Sequence, residues 1–212
     1  LDFLAHPTTD LRLAAIQMFG PADGLSEDDM AAIGPRLMRV AMNDEVLGHR
    51  QEAMYVIGQW RHPQTVAFFE KVLAENPPVD LRRYYDDDAP YWQYRFRLMA
   101  LLGLAKLDDA EALAELGELH DTSGPAQRMD VLLAFLDMDR MHEMAFEDLD
   151  SREAKLVATA ATLIRTCGSE AQRRRLRQRF AGQPLWKQLD ETNIDDHRIP
   201  EIVGLNHAPH RH

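Results

Sequence analysis

The chain has 212 residues, of which 45% are hydrophobic and 28% are charged, and its formal net charge is −11. This length and composition suffice for a domain with a sizeable core, and no stretch approaches the roughly 18 consecutive apolar residues that would span a membrane. The acidic balance disfavours binding to nucleic acid, which requires a basic face, and it favours basic partners through long-range attraction.

The N-terminal part of the chain predicts two helices. Apolar residues at helical spacing follow Thr9, a suitable cap, and the pattern stops at Gly20. Ser26 with Asp29 three residues later matches a capping box, which marks the start of a second helix. Within that helix Gly34-Pro35 interrupts the apolar stripe. Because proline removes a backbone hydrogen bond and clashes with the preceding turn, we expect a kink or two short helices there.

The stretch from 46 to 119 repeats one plan twice: a helix, a short turn and a second helix. In the first pair the turn is His62-Pro63, where proline is tolerated because the first amide groups of a helix have no partner. In the second pair Asp108 or Asp109 can cap the second helix, since a carboxylate accepts hydrogen bonds from free backbone N–H groups.

Two segments of this stretch, Arg50–Val66 and Arg97–Leu113, resemble HEAT-type helical repeats. Each has an arginine, small and apolar residues, a glycine, a short polar turn and a second apolar helix. Gly58 and Gly103 fall near the end of the first helix of each pair, where a small residue lets a partner helix approach closely. The resemblance implies an all-α fold, a right-handed α-solenoid of about five stacked antiparallel helix pairs. Unequal spacing of the pairs keeps a second architecture open, an irregular helical bundle.

Two further helix pairs are predicted after Gly124. Ser169 with Gln172 makes another capping box, and Cys167 lies on the apolar face of the preceding helix, where we expect it to pack in the core.

The predicted boundaries are 1–180 for a HEAT-like domain, 76–93 for an irregular insertion within it, and 181–212 for a C-terminal capping segment and extended tail.

The single cysteine excludes an internal disulfide, which is compatible with the cytosol. The chain starts at Leu1 and not at methionine, so we expect a fragment or a processed form, from which a targeting signal can have been removed. The predicted localisation is cytoplasmic.

The insertion is the first candidate site. The run 82–94 holds four of the five tyrosines. Tyrosine, tryptophan and arginine often anchor interfaces, and insertions in repeat proteins often lie on the binding face. The alternative is that Tyr91, Trp92 and Tyr94 begin the next helix and simply pack. Calcium is not predicted, because the spacing of an EF-hand loop is absent. The predicted partner-binding residues are Arg82, Arg83, Tyr84, Tyr85, Asp86, Asp87, Asp88, Tyr91 and Trp92.

A basic patch near the end of the domain is the second candidate. Its arginines could bind phosphate, an acidic partner or a second copy of the chain. The alternative is a solvated last helix whose charges pair with neighbouring acids, while Leu176 and Phe180 face inward. The patch consists of Arg173, Arg174, Arg175, Arg177 and Arg179.

The histidines give only weak metal candidates. His207, His210 and His212 lie in the tail, but their spacing fits no zinc finger, so no metal or other cofactor is predicted. The other histidines outside the tail are predicted to serve turns and surfaces: His6, His49, His62, His120 and His142.

Catalytic motifs are missing from the sequence. There is no glycine-rich phosphate loop and no Gly-x-Ser-x-Gly, and His142-Glu143 stands alone, whereas iron-binding HEAT-like enzymes use repeated His-Glu pairs. We therefore predict a non-enzymatic protein–protein interaction module, a scaffold, assembly subunit, adaptor or inhibitor. Its partner would be another protein, either basic or part of a larger complex. The alternative is a HEAT-like enzyme such as a nucleic-acid glycosylase or a lyase-type module.

Overall fold

The computed structural model describes residues 2–20, 25–79, 89–124, 127–128, 131–132 and 139–182, and over these residues the protein is helical with no strand. This confirms the all-α fold class. No helix in this part of the chain is long and apolar enough to cross a membrane. The α-helices are α1 Thr9–Gln17, α2 Glu27–Asn43, α3 Leu47–Gln59, α4 Val66–Glu75, α5 Ala89–Ala105, α6 Ala110–Thr122, α7 Asp139–Asp148, α8 Ala154–Cys167 and α9 Glu170–Arg179.

The chain divides into two compact units, 1–118 and 119–212, and the boundary falls within α6. In the first unit α3 packs against α1, α2 and α5, and α5 also packs against α4. In the second unit α8 packs against α7 and α9. The second core includes Phe146, Ile164, Leu176 and Phe180, and Cys167 packs against it as predicted.

Three of the predicted helix caps are confirmed, whereas Thr9 is not the cap of α1, which begins at Thr9 after Thr8 and has no side-chain capping hydrogen bond. Ser26 Oγ accepts a hydrogen bond from the Asp29 amide at 3.1 Å, and the Asp29 carboxylate accepts one from the Ser26 amide, which completes the capping box of α2. Ser169 and Gln172 form the same reciprocal pair at the start of α9. Asp109 caps α6 by accepting from a backbone amide at 2.8 Å.

Of the two alternatives expected at Gly34-Pro35, the two short helices are wrong, because α2 continues through Pro35 as one helix. Pro35 is exposed, so water can bond the carbonyl group that proline leaves without a partner. Gly34 before it has no Cβ to collide with the proline ring. Gly34 also faces the core, where a Cβ would contact the ring of Trp60 at 3.6 Å.

The predicted C-terminal limit of the insertion at 76–93 lies too late in the chain. Residues 76–79 are not helical, but α5 already begins at Ala89, and residues 80–88 lie outside the described part of the chain. The side chain of Gln93 donates a hydrogen bond to the Pro77 carbonyl oxygen at 2.8 Å, which ties the first turns of α5 to the segment after α4.

Helices α3 and α5 touch through their backbones. A Cβ added to Gly58 would lie 3.4 Å from the Cα of Gly103, an ordinary van der Waals contact, so the two helices pass each other at short range. Phe69 of α4 closes the crossing, because a Cβ added to Gly103 would lie 2.3 Å from its fully buried ring. The predicted role in close helix approach is confirmed for Gly103, where any side chain would collide with Phe69.

Two hydrogen bonds between polar side chains that are buried or, for Gln59, half-buried align the same helices. Arg95 Nε donates to Gln51 Oε1 at 3.2 Å near the N-terminal ends of the two helices. Lys106, directly after α5, donates to Gln59 Oε1 at 2.7 Å at the other end. Because each pair satisfies groups that would be costly to bury alone, α3 and α5 are held side by side and in the same direction.

A buried ion pair joins α1 to the turn between α2 and α3. Arg12 Nε donates to Asp44 Oδ2 at 3.0 Å, and Arg12 Nη1 donates to the carbonyl oxygens of His6 and Pro7 at 2.9 and 3.2 Å. Asp44 Oδ1 in turn accepts from the Val46 amide at 2.8 Å. Burial raises the pKa of Asp44, but the Val46 amide and the Arg12 guanidinium lower it more, so its pKa lies below the ordinary value.

Substituting Gly103→Ala tests the helix crossing. The added methyl group must displace the buried Phe69 ring, so the free energy of unfolding should fall by about 1–3 kcal/mol, although alanine alone favours a helix by about 1 kcal/mol. Gly117→Ala in α6 is the matched control, because a Cβ there meets no described atom within 4 Å; it should gain about 0.5–1 kcal/mol. Urea unfolding measures the free energy of unfolding of both variants. An equal gain in stability at Gly103 and Gly117 would contradict the close packing of the Phe69 ring on Gly103.

Substituting Asp44→Asn tests the ion pair. At neutral pH the variant should lose about 3 kcal/mol, because Arg12 stays buried without its carboxylate. A carboxylate with a lowered folded pKa stabilises the fold above its unfolded pKa of about 4, and this contribution is lost as the pH falls through the folded value. The gap between wild type and variant should therefore close in acid. Glu45→Gln, which removes an exposed partner of Arg12, should cost less than about 1 kcal/mol. A gap that does not narrow in acid would contradict this account.

Candidate functional site

The predicted partner-binding insertion is described only at its end. Arg82–Asp88 lie outside the described residues, while Tyr91 and Trp92 lie half-buried in the first turns of α5, with ring centroids 5.8 Å apart. Tyr94 is buried. The alternative in which these aromatic residues begin the next helix is therefore confirmed. Their role in partner binding stays a prediction.

The basic patch lies on α9, and most of its charges are paired. Arg173 and Arg174 are exposed and form no ion pair with a described residue. Arg175 also stacks its guanidinium over the Phe146 ring at 4.0 Å. This pattern favours the solvated-helix alternative, because exposed ion pairs of this kind contribute little stability and leave little free charge for a ligand. The ion pairs are Arg175 with Glu143, Arg177 with Glu170 and Arg179 with Asp150.

The histidines divide into two groups. His6 and His62 serve turns as predicted, since each accepts a hydrogen bond from the backbone amide two residues later. His49 and His120 are buried, so the prediction that they serve turns and surfaces is wrong. The side chain of His142 and the tail histidines His207, His210 and His212 lie outside the described residues.

His120 is the centre of a buried polar cluster in the second unit. It lies in the last turn of α6 and is fully buried. Its Nε2 is 2.8 Å from Oδ2 of Asp148, which is also fully buried at the end of α7. Arg128 forms an ion pair with the other oxygen of Asp148. The result is a chain of alternating charge, Arg128 to Asp148 to His120.

The second ring nitrogen of His120 faces exposed carboxylates. Because the Asp148 carboxylate is an acceptor only, Nε2 carries a proton, and His120 Nδ1 lies 3.3 Å from Asp121 Oδ1. One ring nitrogen of His120 and one oxygen each of Asp121 and Glu147 lie within 4.8 Å of one another. These are donor types that bind divalent metal ions.

The protonation of His120 follows from these neighbours. Burial lowers its pKa, but the hydrogen bond and charge of Asp148, with a smaller contribution from Asp121, raise the pKa more, and Arg128 opposes them only slightly; the net shift is upward. An imidazolium between two carboxylates satisfies both of its N–H groups. In the absence of a metal ion, the cluster is therefore a proton-dependent link between α6 and α7.

A signal for this cluster is present in the sequence. His120 follows Leu113 by seven residues and Leu116 by four, so it continues the apolar stripe of α6. Asp148 follows Met141 by seven residues and Met144 by four, which places it on the apolar stripe of α7. A polar residue on an apolar stripe requires a buried partner, and these two residues are partners of each other.

Comparison with known proteins gives no neighbour: no protein-family model, no curated protein and no solved structure matches the chain. The HEAT-like resemblance therefore stays a prediction. The interpretation of the site rests on the geometry of the described residues.

Substituting His120→Gln tests the proton-dependent link, with all measurements in a chelating buffer. A charged His120 with a raised folded pKa stabilises the fold fully below its unfolded pKa of about 6.5, and the contribution is lost as the pH rises through the folded value. The variant should lose about 3 kcal/mol near pH 6 and less near pH 9.

Urea unfolding at both pH values measures this difference. His62→Gln, a turn substitution, is the control and should change stability little at either pH. A loss in the His120 variant that is the same at both pH values would contradict the charged link.

Proposed function

We propose that the chain is a non-enzymatic helical-repeat protein that binds another protein, as a scaffold, assembly subunit, adaptor or inhibitor. The observation that carries the proposal is an exposed apolar face on α1. Among the described residues the exposed large hydrophobic side chains are Phe3, Leu11 and Met18, with 57%, 42% and 80% of their surface accessible. All three belong to the same short segment at the N-terminal end.

The spacing of these residues makes a face. Leu11, Ala14 and Met18 are separated by three and four positions and are all exposed, so they form one stripe along α1. Ile16, on the opposite side of α1, is buried in the core. Helix α1 is thus apolar on two sides, and exposed apolar clusters of this kind mark protein interaction sites.

The packing order of the first unit supports the repeat part of the proposal. Helix α3 contacts α1 and α5, while α2 packs on α3 and α4 packs on α5. A stack of helix pairs is expected to have this order, since the first helix of each pair contacts the first helix of the next. We infer a right-handed α-solenoid, with α1 at the start of the described stack.

The net charge of the chain restricts the class of partner that it can bind. A net charge of −11 attracts basic proteins, and an apolar stripe on a helix suits the apolar face of an amphipathic segment. The partner we propose is therefore a protein segment with apolar anchors and basic flanks. Tyr91 and Trp92 at the start of α5 provide a second candidate contact surface in the same unit.

Leu11→Ser combined with Met18→Ser tests the proposal. Both side chains are exposed, so thermal stability should change little, while partner capture from the native lysate, quantified by mass spectrometry, should fall at least tenfold. A tenfold loss corresponds to about 1.4 kcal/mol, which is less than the contribution of one interface hot spot of about 2 kcal/mol. Thr9→Ser, at an exposed polar residue on the same helix, is the matched control and should capture the partner as the wild type does. Equal capture by the double variant would exclude α1 as the binding face.

Trp92→Ala tests the second surface in the same assay. A binding role predicts reduced capture with an unchanged melting temperature. A packing role alone predicts a loss of stability, since Trp92 contacts Phe96 with ring centroids 5.9 Å apart, and unchanged capture by the folded fraction.

A further inference from the structure

The cluster around His120 has features beyond those that a structural ion pair needs. Asp121 and Glu147 flank the buried pair of His120 and Asp148, and both place a carboxylate oxygen within 4.8 Å of a His120 ring nitrogen. Both carboxylates are exposed to solvent, and Asp121 has 70% of its side chain accessible. The buried imidazole is therefore flanked by two negatively charged groups that water and ions can reach.

We propose that His120 Nδ1, Asp121 and Glu147 bind a divalent transition-metal ion of the zinc class. The site is formed by the last turn of α6 and the end of α7, within the second unit. It requires no residue outside the described part of the chain.

The buried contacts of His120 match those that support a metal-binding histidine. The hydrogen bond from His120 Nε2 to Asp148 at 2.8 Å leaves Nδ1, which lies 3.3 Å from Asp121 Oδ1, available as the metal ligand. A ligating histidine usually donates its other N–H to a carboxylate, which orients the ring and makes the ligating nitrogen more basic. Arg128 forms an ion pair with the same Asp148 carboxylate.

The distances and charges fit such an ion. Metal–ligand bonds of about 2.0–2.1 Å in a tetrahedron separate the ligand atoms by about 3.3–3.4 Å, and His120 Nδ1 is 3.3 Å from Asp121 Oδ1. Two carboxylates and a neutral imidazole offer a charge of −2 to a divalent cation. Calcium and magnesium prefer shells made of oxygen alone, so the imidazole favours zinc and its transition-metal neighbours. Three protein ligands leave one tetrahedral position for water or another ligand.

Zinc titration of the full chain by calorimetry, after removal of metal by a chelator, tests the proposal. His207, His210 and His212 are first changed to alanine, because tail histidines can bind zinc weakly and would obscure the site. We expect one zinc ion per chain. Glu147→Gln and Asp121→Asn should each weaken binding at least tenfold with little change in melting temperature, since both side chains are exposed. Glu153→Gln, an exposed carboxylate outside the cluster, should bind zinc as the parent chain does.

Nuclear magnetic resonance of the His120 ring identifies the ligand atom. Zinc should shift the Nδ1 signal strongly and leave Nε2 protonated. The proposal is overturned if zinc does not bind, if the Glu147 and Asp121 variants bind it as well as the parent chain, or if the His120 ring signals do not respond. Tighter binding of calcium than of zinc would overturn the assigned class of ion.

Discussion

The contact between Gly58 and Gly103 determines how the first unit is built. It brings the backbones of α3 and α5 together, so that the Phe69 ring of α4 fits over the crossing with no room for another methyl group. Both hydrogen bonds that Gln51 and Gln59 accept, from Arg95 and Lys106, cross this same helix interface. Helices α1 and α2 then pack on the remaining surface of α3. The exposed stripe on α1 is the apolar surface that this packing leaves open.

The second unit combines an apolar core with a buried cluster of charged side chains. Apolar residues of α7, α8 and α9 pack together, whereas the link between α6 and α7 depends on His120 and Asp148, both without solvent exposure. A buried ion pair adds little net stability over a well-packed apolar pair, but removing one partner is costly because the other charge stays buried. Such a pair therefore fixes which surfaces meet. It also holds the imidazole in one orientation, with its second nitrogen towards Asp121 and Glu147.

Local rules were sufficient to predict much of this structure. Capping boxes at Ser26 and Ser169 depend on residues three positions apart, and the glycine pair could be identified because two similar segments placed it at the same point. The predicted division of α2 at Pro35 was wrong because the effect of a proline depends on two things. One is its solvent exposure, which is a tertiary property, and the other is the glycine before it. The start of α5 was placed too late because Ala89–Gln93 carry no clear apolar period. His120 and Asp148 were missed as a pair because their partnership is defined by a contact 28 residues apart in sequence, although each lies on an apolar stripe. The solenoid arrangement and the interaction role remain inferences from the packing order and the exposed face.

Native-state hydrogen exchange tests most directly whether the crossing of α3 and α5 is the core of the first unit. Amides at 53–58 and 98–104 should exchange only through global unfolding, because they lie where the two backbones are in contact and solvent is excluded. Amides of α1, which has only one buried face, should exchange through smaller and more frequent openings. Exchange of the α3 and α5 amides as fast as that of α1 would contradict the account, since it would mean that the glycine crossing opens independently of the rest of the fold.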